Sequence, residues 1–327
     1  MEQEEIVTSK LKDLLACPNC KKSSLKLEKG KIKCSKCKKI FQIKNNIPIL
    51  LFQKSKKDLF DIEKYYNKIY DKDLDVNDLK LLKKNLPFKS VRQDIIKKFV
   101  SENKKEGILL SIGCGIGENE ELFSNKGYFL VGTDISFNAL NIARKYCLDC
   151  VYFQSRAENL PLKSESIDII LSIDMIEHVF DDESILDEIK RVLKKDGILV
   201  LTTGFSGKYD NHVCSDTSKS FREDSLGEGG DLRDYGLNLV DRLNNKNLQV
   251  IKIRFTDGPL AKNINKLKEY FLKKKHSRME VITGQVMETN KRYLFYSKIL
   301  RIFYKLDYLI FGRRKGGLIF IGCKKIK

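Results

Sequence analysis

The stretch Ile108-Leu109-Leu110-Ser111-Ile112-Gly113-Cys114-Gly115-Ile116-Gly117-Glu118-Asn119 reads as a buried strand that breaks into glycine. Residues 118–123 then suit a helix. Glycines spaced G-x-G-x-G let the backbone pass close to a ligand, because no Cβ stands in the way. A dinucleotide fingerprint would place its third glycine at position 118, which is Glu. The turn therefore suits a cofactor without a pyrophosphate.

Moving outward, a second apolar strand, Tyr128-Phe129-Leu130-Val131-Gly132-Thr133, ends in Asp134. An acid at the tip of a second strand is placed to accept ribose hydroxyls. Ala157-Glu158-Asn159-Leu160-Pro161 and the strand Ile167-Asp168-Ile169-Ile170-Leu171-Ser172-Ile173-Asp174 follow. Met175-Ile176-Glu177-His178-Val179 is expected to open a helix, and a helix through Lys194-Lys195-Asp196 to close on Gly197 as its C-cap. Strands and helices alternating at this length predict an α/β fold with a parallel, doubly wound sheet.

These motifs, SIGCGIG, DIS, AENLP and IEHV in that order, resemble the class I S-adenosylmethionine-dependent methyltransferases. The resemblance covers about residues 100–255 and is nearest the ubiquinone/menaquinone-biosynthesis branch. It implies a Rossmann-like, seven-stranded, mostly parallel sheet with an antiparallel last strand between strands five and six. The apolar run Leu318-Ile319-Phe320-Ile321-Gly322-Cys323 is expected to be that strand. By the same resemblance S-adenosylmethionine lies at the carboxyl ends of the strands. Gly113, Gly115 and Gly117 then sit under its methionine part, and Asp134 with Ile135 at its ribose. Ala157 and Glu158 border adenine, while Ser172 and Asp174 lie near the methionine amino group or the methyl. Relatives often carry Asp where this chain has Arg156, which puts the usual contact to the adenine amino group in question.

Methyl transfer from a sulfonium needs mainly in-line placement of the acceptor, and oxygen acceptors usually need a general base as well. The chain has 3 histidines. His178 sits at the rim of the expected cleft, His212 in the loop after strand five, and His276 in a basic run that suits solvent. His212, His178 and Asp174 are the catalytic candidates. Cys114, Cys147 and Cys150 read as packing.

Upstream, Cys17-Pro18-Asn19-Cys20 and Cys34-Ser35-Lys36-Cys37 repeat a C-x2-C knuckle around an expected hairpin turning at Lys29-Gly30. Four thiolates suit tetrahedral, structural Zn(2+), held by protein alone at Cys17, Cys20, Cys34 and Cys37. Followed by Phe41-Gln42-Ile43-Lys44-Asn45-Asn46-Ile47-Pro48-Ile49-Leu50-Leu51, the segment is similar to the ribbon of the tRNA-methyltransferase activator family. The expected organisation is a zinc ribbon at 1–54, a helical linker or cap at 55–104 and a methyltransferase domain at 105–327, with a helical insertion at about 256–316.

The formal net charge of +18 lies at the ends. Residues 1–60 carry 15 Lys/Arg against 6 Asp/Glu and residues 291–327 carry 11 against 1, which leaves the middle nearly neutral. Basic ends suit RNA or an anionic membrane surface, or simply a lysine-rich surface. In the insertion, Lys291, Lys298, Arg301 and Lys305 share one helical stripe amid apolar and aromatic residues. Such a helix can lie in a membrane interface, cover a greasy acceptor, or pack on its own domain. Residues 1–10 are unlike a secretory leader, and no stretch reaches the roughly 18 apolar residues of a membrane span. The expected setting is cytoplasmic, with membrane association as an addition. Three functions are compatible with these residues: methylation of a small-molecule, lipid or glycan-linked acceptor, methylation of an RNA base, and non-catalytic binding on a retained fold.

Overall fold

A computed structural model describes residues 11–28, 30–52, 56–71, 87–210, 212–213, 232–261, 263, 291–313 and 316–327, giving the backbone alone for 56–61, 87–90, 212–213 and 291–298. The chain begins with four short strands, β1 (Leu25–Glu28), β2 (Lys31–Cys34), β3 (Ile40–Lys44) and β4 (Ile47–Pro48), paired in that order. The β1–β2 hairpin sets Leu25 opposite Cys34, with Gly30 left-handed at its turn. Two helices follow, α1 (Lys56–Ile69) and α2 (Pro87–Asn103). His276 and Cys214 lie outside the described residues.

The main sheet then builds through β5 (Gly107–Ile112), α3 (Glu118–Glu121), β6 (Tyr128–Asp134), α4 (Phe137–Tyr146), β7 (Cys150–Gln154) and β8 (Ile167–Ile173). It continues with α5 (Asp182–Val192), β9 (Leu193–Gly204), the small pair β10 (His212–Val213) and β11 (Arg233–Asp234), α6 (Asn238–Asn245), β12 (Leu248–Thr256), α7 (Lys291–Phe311) and β13 (Leu318–Lys325). Spatial order is β12-β13-β9-β8-β5-β6-β7. Strands β5 to β9 pair in parallel, and β13 runs antiparallel between β9 and β12. The Rossmann-like sheet and its antiparallel last strand are as the motifs implied.

Parallel strands buried on both faces read as near-continuous apolar runs, and the centres of these do, with buried polar residues such as Ser111, Thr133 and Ser172 toward their carboxyl ends. Leu110, Ile170 and Leu199 point into one apolar cluster, while Leu109, Ile169 and Val200 point into the other. Helices α2 and α4 cover the second face with Val91, Ile95, Ile96, Phe99, Leu140 and Ala143. On the first face, Ile185 and Ile189 of α5 share one cluster with Leu14, Leu25, Ile32 and Phe41 of the ribbon. The ribbon is thus a layer of the same core. Cys147 and Cys150 are buried, as packing predicts.

Two local expectations are corrected. No helix opens at Met175: Ile176–His178 is a single 3-10 turn, and α5 begins after Asp181, whose side chain accepts from the Ser184 amide. The helix also ends earlier than the glycine suggested. Chain direction becomes extended at Leu193, and the left-handed residue is Asp196, not Gly197. Pairing of Leu193 with Ile167 draws this segment into the sheet and outcompetes a glycine cap.

Helix α7 is anchored by one carboxylate. Asp307 is buried and accepts hydrogen bonds from the amides of Gly258 (2.8 Å), Leu260 (3.0 Å) and Ala261 (3.2 Å). Removing it leaves three amides without their acceptor, so Asp307→Ala is expected to lower stability by about 2–4 kcal/mol in urea denaturation.

Candidate functional site

Gly113, Gly115 and Gly117 all take left-handed backbone, with φ of +66°, +53° and +83°. Space decides two of them as firmly as conformation does. A Cβ on Gly113 would meet Met175 at 2.2 Å, and one on Gly117 would meet the Tyr152 hydroxyl at 2.6 Å. Asp134 closes the turn. Its Oδ2 accepts from the Gly115 amide at 2.9 Å and its Oδ1 from the Ser136 amide at 2.9 Å. Burial raises the Asp134 carboxyl, against the pull of the Ser136, Gly115 and Ile135 amides and of nearby His178.

Helix α1 lies over this turn. Asn67 Oδ1 accepts from the Ser136 hydroxyl (3.0 Å) and from the Asn138 amide (3.1 Å). A Cβ on Gly115 would stand 3.5 Å from the Tyr70 hydroxyl, so Tyr70 roofs the glycines. Burial drives the Tyr70 phenol well above its usual range, with Asp134 and Glu118 adding to it. The Tyr66 ring sits 6.3 Å from His178, edge on. His178 is half-buried and follows the tip of β8.

Ser172 stands beside Ile112 and Leu201 at the carboxyl end of β8. It is fully buried, and its hydroxyl has no hydrogen-bond partner among the described residues. Asp174 is left-handed at φ +48°. Its Oδ2 accepts from Arg92 at 2.6 Å and its Oδ1 from the Thr202 hydroxyl at 2.8 Å. Burial would lower the Arg92 guanidinium, but Asp174 and Asp257 outweigh it and hold it above its usual value. Glu158 is gripped by Arg156, with a closest approach of 2.7 Å. Ala157 packs against the first core cluster. The backbone of His212 forms β10 opposite Asp234.

The structure adds residues that motif reading passed over. Arg92 shares the buried stripe of α2 with Ile95, Ile96 and Phe99, and a cation on an apolar stripe is a signal that it has a buried partner. Glu177 accepts from the Thr203 hydroxyl at 2.9 Å. Asp182 gathers Arg233 (3.0 Å), Arg242 (3.0 Å) and the Tyr235 hydroxyl (2.7 Å), which fixes the wall after β11. No motif announced Arg92 or Asp182, and IEHV contained Glu177 without a role for it.

Glu120 is wholly buried under the glycine turn, and burial raises its carboxyl from 4.5 to about 7. The folded protein therefore holds a proton between about pH 4.5 and 7 that the unfolded chain releases. Stability falls as pH rises through that window. Relative to the Glu120→Gln variant, whose slope lacks this contribution, the fall is expected to reach roughly 3 kcal/mol by pH 8 in urea titrations.

The sulfurs of Cys17, Cys20, Cys34 and Cys37 all lie within 4.8 Å of one another. Cys17 and Cys37 are 3.6 Å apart, and Cys20 and Cys34 3.7 Å. Tetrahedral zinc with sulfur at ~2.3 Å separates its ligands by about 3.8 Å, so the four thiols fit such an ion. Burial raises the Cys34 thiol, yet the Ser24 hydroxyl and the amides of Cys37 and Lys36 prevail and bring it down to about 6.

This cluster sits against the segment after β7. Asn159 donates to the Pro18 carbonyl (3.2 Å) inside the first knuckle and to Phe52 (3.3 Å). Backbone bonds join Ala16 to Pro161 (2.9 Å), Lys163 to Leu14 (2.9 Å) and Leu50 to Gln154 (2.8 Å). Cys34→Ser is expected to quicken amide exchange at Ala16, Leu50 and Lys163 by about tenfold or more, while the centre of β5 stays protected.

Comparison with known proteins places the glycine turn inside a named family. Residues 110–201 match the family described as "Methyltransferase domain". A ubiquinone biosynthesis O-methyltransferase of Haemophilus ducreyi is 32% identical over 104 residues, which are 29% of this chain and 44% of that protein. The ubiquinone/menaquinone biosynthesis C-methyltransferase UbiE of Campylobacter jejuni is 33% identical over 105 residues, 30% of this chain and 45% of that protein. The chain thus spans less than half the length of these relatives. Among solved structures, a chain of a complex containing the Haloferax volcanii Trm112 methyltransferase activator superposes with a TM-score of 0.47. Its identity is 16%, covering 80% of this chain and 98% of that one.

Proposed function

We propose that this chain transfers a methyl group from S-adenosylmethionine to a small-molecule or lipid-like acceptor. The observation that carries the reading is the left-handed glycine turn closed by Asp134 beside the partnerless hydroxyl of Ser172. A buried hydroxyl without a partner is costly unless a ligand supplies one. The turn, the acid and that hydroxyl fit a charged nucleoside without a pyrophosphate.

In this reading Gly113, Gly115 and Gly117 let the backbone approach the methionine part. Asp134 and Ile135 hold the ribose, and Ser172 bonds a polar atom of the methionine end. Ala157 and Glu158 border adenine, with Arg156 holding the Glu158 carboxylate in place. The cofactor supplies an electrophilic methyl on a sulfonium, so catalysis rests on aligning the acceptor and excluding water. Tyr66 of α1 and Tyr70 just beyond its end close the cleft. Asp174, locked between Arg92 and Thr202, orders the acceptor wall. Of the catalytic candidates, His178 is the side chain that receives a proton from an oxygen acceptor, and His212 stands as the second. The four cysteines hold a structural Zn(2+).

Adenosylhomocysteine is expected to raise the melting temperature of the intact chain. Asp134→Ala is expected to weaken its binding, measured by calorimetry, by about tenfold or more, or ~1.4 kcal/mol. With methyl-labelled cofactor and fractionated lysate, label is expected in solvent-extracted small molecules. Label in RNA instead would redirect the acceptor class, and no binding of adenosylhomocysteine would sink the reading.

A further inference from the structure

Helix α7 turns a large apolar surface to solvent. Ile299, Ile302, Phe303, Leu306, Leu309 and Ile310 are all exposed, with Leu309 at 74%, Ile310 at 62% and Ile302 at 60%. At 3.6 residues per turn they fall on one arc of roughly 120°, about 18 Å long. The opposite side is the packed one: Tyr304 and Asp307 are buried against the domain. Isolated apolar residues are ordinary on surfaces, but a contiguous ridge of six large ones is not.

Charge tells what this ridge meets. Exposed Lys305 borders the arc along one side and exposed Arg313 follows the helix end, whereas exposed Arg301 lies on the flank that faces α2. Arg301 also lies 3.9 Å from Asp94 of α2. Among residues 291–313, Asp307 is the single acid, and its carboxylate is turned inward onto Gly258, Leu260 and Ala261. The ridge and its Lys305 border therefore show apolar and cationic groups with no carboxylate of α7 turned to solvent beside them. That combination suits anionic lipid headgroups above an acyl boundary. No helix among the described residues is long and apolar enough to cross a membrane, so α7 would lie in the interface.

Position agrees with charge. The amides that Asp307 holds begin just past the carboxyl end of β12. Tyr304 lies within electrostatic reach of Arg92, which grips Asp174 at the tip of β8. The ridge is thus carried by the helix beside the acceptor side of the cleft. We infer that α7 docks the protein on anionic membrane surfaces through its Ile299–Ile310 ridge and basic border. The inference stands on the ridge itself, independently of methyl transfer, and vesicle binding needs no cofactor.

The test is flotation of the intact chain with phosphatidylcholine vesicles containing or lacking phosphatidylglycerol. Binding is expected only with the anionic lipid, and to weaken as salt rises. The variant carrying Ile302→Asp and Leu309→Asp changes two exposed positions, so its melting temperature and adenosylhomocysteine binding should match those of the parent. Its vesicle affinity should fall by about tenfold or more. A second variant, Lys305→Gln with Arg313→Gln, should bind more weakly and lose most of the salt dependence. The inference is overturned if the parent ignores anionic vesicles, or if binding survives both pairs of substitutions. It is equally overturned if the parent is a dimer, free of vesicles, that the aspartate pair splits into monomers.

Discussion

The hydrogen bond from the Gly115 amide to the Asp134 carboxylate fixes where β5 ends, and much of the site is built on that point. Three left-handed glycines turn the chain, and Met175 and Tyr152 fill the space their missing side chains leave. The same carboxylate accepts from Ser136, whose hydroxyl caps α4 by accepting from Ala139 and is itself tied to Asn67 of α1. One buried acid thereby aligns the turn, the first helix turn after β6, and the helix that roofs the cleft. Changing its charge or reach would disturb all three at once, because each contact is local and directional.

A second constraint is the need of a parallel sheet for cover on both faces. One face is served by α2 and α4. The other is served in part by the four-cysteine ribbon, whose Leu14, Leu15 and Phe41 sit in the same apolar cluster as Phe153 and Leu160. The ribbon has too little apolar material for a core of its own. It gains one by leaning on the sheet, and in return its knuckle carbonyl at Pro18 and backbone at Leu14 and Ala16 hold residues 159–163. The four-cysteine cluster and residues 159–163 are physically connected through that seam.

Buried charge in this protein is mostly paired. Arg92 meets Asp174, Arg233 and Arg242 meet Asp182, and Lys325 is satisfied by the carbonyls of Lys190 (2.9 Å) and Leu193 (2.7 Å). Breaking such a pair leaves an uncompensated charge, which makes these contacts specifiers of geometry. Glu120 differs, since burial leaves it half-protonated near neutral pH. The pairing also separates roles among the acids of the cleft. Asp174 is held by side chains, Arg92 and Thr202, whereas Asp134 is held by the backbone amides of Gly115 and Ser136.

The sequence by itself determined the sheet, the glycine turn, the acid at its second strand and the four-cysteine cluster. Each is written in contiguous residues: continuous apolar runs for strands buried on both faces, glycine where φ must be positive, and paired knuckles at hairpin spacing. Two local signals misled. At Gly197, tertiary pairing of β8 with the start of β9 overrode the cap that the local residues favoured, and after Met175 the chain makes a single 3-10 turn before α5 begins. Only the tertiary structure decided that Arg92, 82 residues from Asp174, would close on it. It also decided that the ribbon would join the domain core, and that α7 would bury Tyr304 and Asp307 while turning Ile299, Ile302, Leu306, Leu309 and Ile310 outward. Those outcomes depend on which surfaces meet, and a helical period alone does not say which face of an apolar helix its own domain will cover.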